Sequence, residues 1–212
     1  MLRKAIYLPL AVVLTLLATT VSAQQIYDNG PLNTGTTTQG GTAAPTGAEW
    51  SELADDDVNV NNVLGFGSSI ANSLALADDF TVPTGETWTL TSFEYYAYSS
   101  GASPTAAPVS QTAMQVSDDS PSNGFGNVLF GDLTTNRQST TTPPVDAQIY
   151  RCVNTDTVLS PTATPDTARL CWLITVEFST PLVLTAGTYW VAWATTIGTG
   201  LTSGPWVPPT TT

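Results

Sequence analysis

The sequence predicts an all-β protein, an antiparallel β-sandwich of jelly-roll-like arrangement behind an N-terminal signal peptide, and three observations carry that prediction. Short apolar stretches alternate with period two and are closed by Gly, Pro, Asn and Asp, the pattern of half-buried strands separated by turns. No apolar stripe of helical period and useful length follows the first 23 residues. Those first residues have the three parts of an export signal: Arg3 and Lys4, an uncharged apolar run over 5–18, and Val21, Ser22 and Ala23, residues of the kind a signal peptidase accepts. Cleavage is expected after Ala23. The expected division is a signal peptide over 1–23, an irregular Gly/Thr-rich segment over 24–57, the sandwich domain over 58–207 and a Pro/Thr-rich end over 208–212.

Removing a 23-residue leader from 212 leaves 189 residues, a length that one all-β domain fills. Apolar residues make up 42%, ordinary for a globular chain, but charged residues only 10%, against about a quarter in most. Threonine, serine and asparagine take their place. The mature chain loses Arg3 and Lys4, the latter its one lysine, and sets Arg137, Arg151 and Arg169 against 17 acidic residues, a net charge of −14. A phosphate backbone is held through Lys and Arg, so nucleic acid is excluded as a partner and anionic lipid is a poor one. No second stretch is long and apolar enough to predict a membrane span in the mature chain. The expected location is extracellular or at the cell surface, with the periplasm as the alternative.

Along the chain, 33–47 reads as an irregular, mobile loop rich in Gly and Thr. The first strand is 74–82, with Leu74, Leu76, Phe80 and Val82 on one face and Asp78 among them, and Pro83-Thr84-Gly85 closes it. A long aromatic strand follows over 87–100, in which Leu90 and Phe93 fall out of phase. That phase break predicts a bulge near Thr91 and Ser92, or aromatic rings on both faces. After a break at 101–108, Thr112, Met114 and Val116 alternate inward on the next strand, which ends at the turn beginning with Asp118 and Asp119. A short strand at 127–130 precedes a hairpin of 148–153 with 169–178, where Trp172, Ile174, Val176 and Phe178 share a face. Ala186-Gly187 reads as a turn that launches the last strand, 188–196.

Cys152 and Cys171 lie on the two strands of that hairpin. An oxidising compartment favours a disulfide between them, placed on the solvent side of a sheet or at its rim. Closing a loop of that size stabilises by roughly 3 kcal/mol. A zinc site is disfavoured, since the chain has no histidine and only two cysteines.

The run Ala77-Asp78-Asp79-Phe80-Thr81-Val82-Pro83, followed by Trp88 and the 93–98 aromatics, resembles the opening of a class of bacterial secreted β-sandwich domains of the choice-of-anchor type. Leu184-Thr185-Ala186-Gly187-Thr188-Tyr189-Trp190-Val191 resembles their closing strand. The resemblance extends over 24–209. It implies a sandwich that precedes a C-terminal sorting or anchoring signal, and it supplies no catalytic residues to carry over. It also implies further sequence beyond Thr212, so a fragment of a longer protein is expected; the alternative is that 208–212 begin a Pro/Thr linker.

Without histidine, the usual general base of serine and cysteine hydrolases is missing. A two-carboxylate glycoside hydrolase needs only Asp and Glu, and the available groups are Asp55, Asp56, Asp57, Asp78, Asp79, Asp118, Asp119 and Glu94. Adjacent aspartates on a strand point to opposite faces, so neither Asp78 with Asp79 nor Asp118 with Asp119 is a facing pair. No catalytic residue is therefore assigned. Calcium is the natural cofactor candidate for Asp55, Asp56, Asp57, Asp78, Asp118 and Asp119, set against the plainer reading of turn carboxylates that accept from nearby amides. Asp78, on an apolar face, needs a partner in either case. Tyr96, Tyr98, Tyr189, Trp190 and Trp193 are the candidates for stacking on a sugar ring, set against core packing. The function expected is a secreted, non-catalytic β-sandwich module with a structural, adhesive or binding role, its partner a polysaccharide or another cell-surface protein. The alternatives are a carbohydrate-binding module or part of a carbohydrate-active hydrolase.

Overall fold

The computed structural model describes residues 24–53, 65–153 and 165–210. They form an all-β, mixed sheet of β1 (Glu49–Leu53), β2 (Phe66–Gly67), β3 (Leu76–Tyr98), β4 (Val109–Ser117), β5 (Val128–Asp132), β6 (Val145–Val153), β7 (Leu170–Ile197) and β8 (Trp206–Val207), with one 3-10 turn at Pro121–Asn123. The order is β1-β6-β7-β3-β8-β2, and β4 and β5 extend from the far half of β7. Among the described residues no helix is long and apolar enough to cross a membrane.

A ribbon of β3 and β7 is the backbone of the sheet. Leu76 to Val82 pair antiparallel with Trp193 to Gly187, and Ser92 to Tyr98 with Glu177 to Cys171. The sequence reading divided each of these strands in two, and the structure corrects it. The turn signals at Pro83-Thr84-Gly85 and Ala186-Gly187 do not reverse the chain; they face each other, and 83–86 leave the ladder opposite Ala186 alone. Pro83 has no N–H to lose there, and Gly85 takes φ +88°, which a side chain would strain. The second irregularity lies between Leu90 and Ser92, where the phase break in the sequence placed a bulge.

Such irregularities bend a ribbon, and here its two end segments meet. Tyr95 pairs with Ile174, and Trp193 pairs with Leu76 at the opposite end, yet the Tyr95 and Trp193 rings are 5.7 Å apart and Phe93 is 5.2 Å from Trp193. Tyr95 Oη lies 2.7 Å from Thr112 Oγ1 on β4. The main core fills the space between: Phe80, Val82, Met114, Val116, Ile174, Val176 and Phe178 are all buried. On β4 the predicted inward set is buried, but so are the residues between, because 112–117 are covered on both faces.

The pairing is not wholly antiparallel, as the sequence reading had it, because β1 adds to β6 in parallel, Glu49 beside Ile149 through Leu53 beside Val153. Nor are 33–47 the loose loop expected. Thr34 N donates to Trp50 O at 2.7 Å, Trp50 N to Gly35 O at 2.8 Å, and the Trp50 indole N–H to Thr42 O at 3.1 Å. Leu32 is buried in a second core with Tyr98, Ile149 and Cys171, on the face of the ribbon opposite the main core. Burying Leu32 and Trp50 supplies the stabilisation that a Gly/Thr-rich stretch lacks from its composition.

Candidate functional site

The expected disulfide is not formed. Cys152 and Cys171 are both free and buried. Cys171 pairs across the strands with Ile149, and Arg151 N donates to Arg169 O at 2.9 Å, so Cys152 lies three places further along β6. Three places is an odd number, which turns the two thiols to opposite faces of the sheet. The solvent-side placement is likewise corrected. Burial pushes both thiols up to about 12, and for Cys152 the Glu52 carboxylate adds to the effect. The Arg151 guanidinium is buried beside them and donates from Nη1 to Ser51 Oγ at 2.8 Å.

Of the carboxylates proposed for calcium, the described Asp78, Asp118 and Asp119 form no common metal-binding group. Asp55, Asp56 and Asp57 lie outside the described residues, as does the cleavage site at Ala23. Asp118 accepts from Asn127 N at 2.7 Å and Asn127 Nδ2 at 2.8 Å, bonds that hold its pKa below the usual carboxylate range. Asp119 Oδ1 accepts from Ser120 N at 2.7 Å and Asn123 Nδ2 at 3.0 Å. These are the bonds of turn carboxylates. Among the described residues no three acidic or thiol side chains come together as a metal-binding group. Glu94 accepts from Thr175 at 3.1 Å, and Glu177 from Ser139 at 2.6 Å and Thr141 at 2.5 Å, bonds that lower the Glu177 pKa.

Of the stacking candidates, Tyr98 and Trp193 are core residues, 2% and 6% exposed, and have no ring face to offer a ligand. Tyr96, Tyr189 and Trp190 are half-buried. Burial, then Glu94 and Asp28, raise the Tyr96 hydroxyl. Trp190 is on the opposite face from Tyr189, across from Asp79 and Ser117.

Tyr189 belongs to a group of rings that the sequence did not assemble. Phe80, its cross-strand partner, is in ring contact with Tyr189 at 5.9 Å, Trp88 at 6.2 Å and Tyr27 at 6.0 Å. Phe80 fills the centre and is buried, Trp88 and Tyr189 are half-buried, and Tyr27 is 46% exposed. Polar bonds fix each outer ring: Trp88 Nε1 donates to Glu86 Oε2 at 2.7 Å, Tyr189 Oη to Thr185 O at 2.9 Å, and Tyr27 Oη sits 2.6 Å from Asn29 Oδ1 and 3.1 Å from Asp79 O. Asp78 has the partner its position demanded: Asn29 Nδ2 donates to Oδ2, and Asp79 N donates to Oδ1 at 3.0 Å. Partial burial and the neighbouring Asp78 and Asp79 raise the Tyr27 hydroxyl. Phe80 and Trp88 are an even number of places apart, and that was the available signal; Tyr27 carried none, because a tertiary contact brings it there.

A concavity of about 360 Å³, apart from the ring group, is lined by Ser68, Ser69, Asn72, Thr195, Thr196 and Thr202 with aliphatic neighbours. Its buried floor is self-satisfied: Ser68 Oγ and Thr195 Oγ1 are 2.7 Å apart, and Thr195 Oγ1 donates to Ser68 O at 3.1 Å. The ring group thus combines exposed aromatic surface with fixed polar edges, an arrangement suited to holding a ligand with apolar faces and polar rims. The chain matches no family model, no curated relative and no solved structure.

Proposed function

We propose that the mature chain is an exported, non-catalytic module of β-sandwich, jelly-roll-like architecture that works outside the cell by binding polysaccharide. The observation that carries this reading is the ring group of Tyr27, Trp88 and Tyr189 around Phe80, with Asp78 and Glu86 at its edge. A pyranose presents a face of C–H groups and a rim of hydroxyls, and such a surface offers each a counterpart. The export signal, the lysine-free acidic mature chain and its hydroxyl-rich composition support an extracellular or cell-surface location. The meeting of Tyr95 with Trp193 supports two packed layers. The test is retention of the 24–212 chain on a panel of insoluble polysaccharides, with release of reducing ends measured in parallel. Retention that is lost in Trp88→Ala, without release of reducing ends, is expected. Turnover that vanishes in Glu94→Gln or Asp78→Asn with the fold intact would instead assign a hydrolase.

A further inference from the structure

The rim of the ring group is acidic, and no ion pair among the described residues involves it. Asp78, two places before Phe80, shares its face of β3, and Glu86 accepts from the Trp88 indole. The three arginines of the mature chain are placed elsewhere: Arg137 pairs with Asp132 at 2.9 Å, Arg169 faces Asp166 at 3.8 Å, and Arg151 is buried beside Ser51. Among the described residues no cation pairs with Asp78, Asp79 or Glu86. A hydroxyl rim is served by donors and acceptors alike, whereas Asp78 and Glu86, when ionised, accept only and favour a ligand that brings donors and positive charge. Unpaired carboxylates beside open ring faces are complementary to an organic cation, through charge and through the ring quadrupole together.

Resting on the saccharide-binding reading, we propose that the ring group selects a saccharide bearing free amines, a hexosamine polymer. Its pyranose C–H face lies on the rings of Trp88 and Tyr27, and its ammonium groups lie against Asp78 and Glu86. Asn29 holds Asp78 in place, and the bond from the Trp88 indole holds Glu86. Both carboxylates are thus set before a ligand arrives, which lowers the ordering cost of binding.

The experiment titrates the 24–212 chain with a glucosamine hexamer and with its fully N-acetylated counterpart, below the pH at which the amines lose their protons. Asp78→Asn and Glu86→Gln remove charge and each keep one oxygen, to accept from Asn29 and from the indole; Asp78→Asn gives up the bond from Asp79 N, and an unchanged thermal midpoint checks that both variants keep the fold. The amine hexamer is expected to bind at least about ten-fold more tightly than the acetylated one, and to lose roughly that factor between ~20 and ~500 mM salt. The double variant D78N/E86Q is expected to lose that preference, its affinity for the amine hexamer falling about ten-fold further than its affinity for the acetylated one. Equal binding of the two hexamers, or binding indifferent to salt and to the double variant, overturns the amine selection and leaves the saccharide reading standing. Oligolysine bound as tightly as the amine hexamer overturns the saccharide partner in favour of a basic peptide. Failure to bind either hexamer overturns the inference, and only failure across the whole polysaccharide panel overturns the function it rests on.

Discussion

Phe80 and Trp88 lie parallel, their planes 5° apart and their ring centroids 6.2 Å apart, although 83–86 leave the ladder between them. The excursion shortens the path from one ring to the other. In an unbroken strand a residue eight places on would be more than 20 Å away, at about 3.3 Å per residue. The bulge is therefore what brings Trp88 onto Phe80, and Pro83 and Gly85 are the residues that permit it. Truncating the half-buried ring by Trp88→Ala is expected to cost about 2 kcal/mol, measured by urea unfolding, and to abolish polysaccharide retention. A variant of unchanged stability would mean that the stack is not populated.

Both thiols are expected to be present and unreactive in the native chain without reductant, and both to titrate once it is unfolded. Burial raises each to about 12 from an ordinary 9.0, and it raises the Tyr98 hydroxyl to about 12 as well. A raised pKa means that the folded state keeps a proton the unfolded state releases. Their contribution is thus full below the ordinary thiol value and is lost as pH rises through the folded value. Thermal midpoints followed from pH 9 to 12 should fall. A flat profile, or the absence of free thiol after unfolding, would contradict buried, unlinked cysteines.

Tyr95→Phe separates packing from hydrogen bonding. The ring contacts to Phe93 and Trp193 survive, while Thr112 Oγ1 loses its partner in a dry core. The cost expected by denaturant unfolding is about 1–2 kcal/mol. An unchanged midpoint would show that Thr112 finds another partner and that the two segments are less closely held.

Gly131 tests the attachment of β5 to β4. Its φ is +74°, and a Cβ there would stand 2.1 Å from Met114 O, a backbone atom with nowhere to move. Gly131→Ala should cost roughly 3 kcal/mol or more, and hydrogen exchange should locate the loss in β4 and β5. Full protection of those amides in the variant would contradict the pairing of Gly131 with Gln115.

Local pattern carried much of this fold. The face formed by Trp172, Ile174, Val176 and Phe178 and the irregularity near Thr91 both follow from a two-residue period and its interruption. What failed were readings that needed a second strand to interpret. Ala186-Gly187 has turn composition, yet opposite an excursion of the partner it lets β7 continue. Cys152 and Cys171 are on adjacent strands as expected, but register decides which face each thiol takes, and register is not written in either strand alone. Leu32 and Trp50 anchor a stretch whose composition reads as loop, and Tyr27 joins Phe80 across a separation no periodicity spans. Of the ring candidates the sequence offered, Tyr189 alone belongs to the group around Phe80: burial removed Tyr98 and Trp193, Trp190 takes the opposite face, and Tyr96 has no ring contact with Phe80.

The most direct test of the binding account is an NMR titration that follows the six tryptophan indole N–H signals of the chain as a bound polysaccharide fragment is added. The Trp88 signal, held by Glu86 at the rim of the ring group, is expected to shift progressively and to saturate, while that of the buried Trp193 stays in place. A stationary Trp88 signal, with shifts confined instead to amides of Ser68, Ser69 and Thr195 around the hydroxyl-lined concavity, would place the ligand elsewhere and contradict the account.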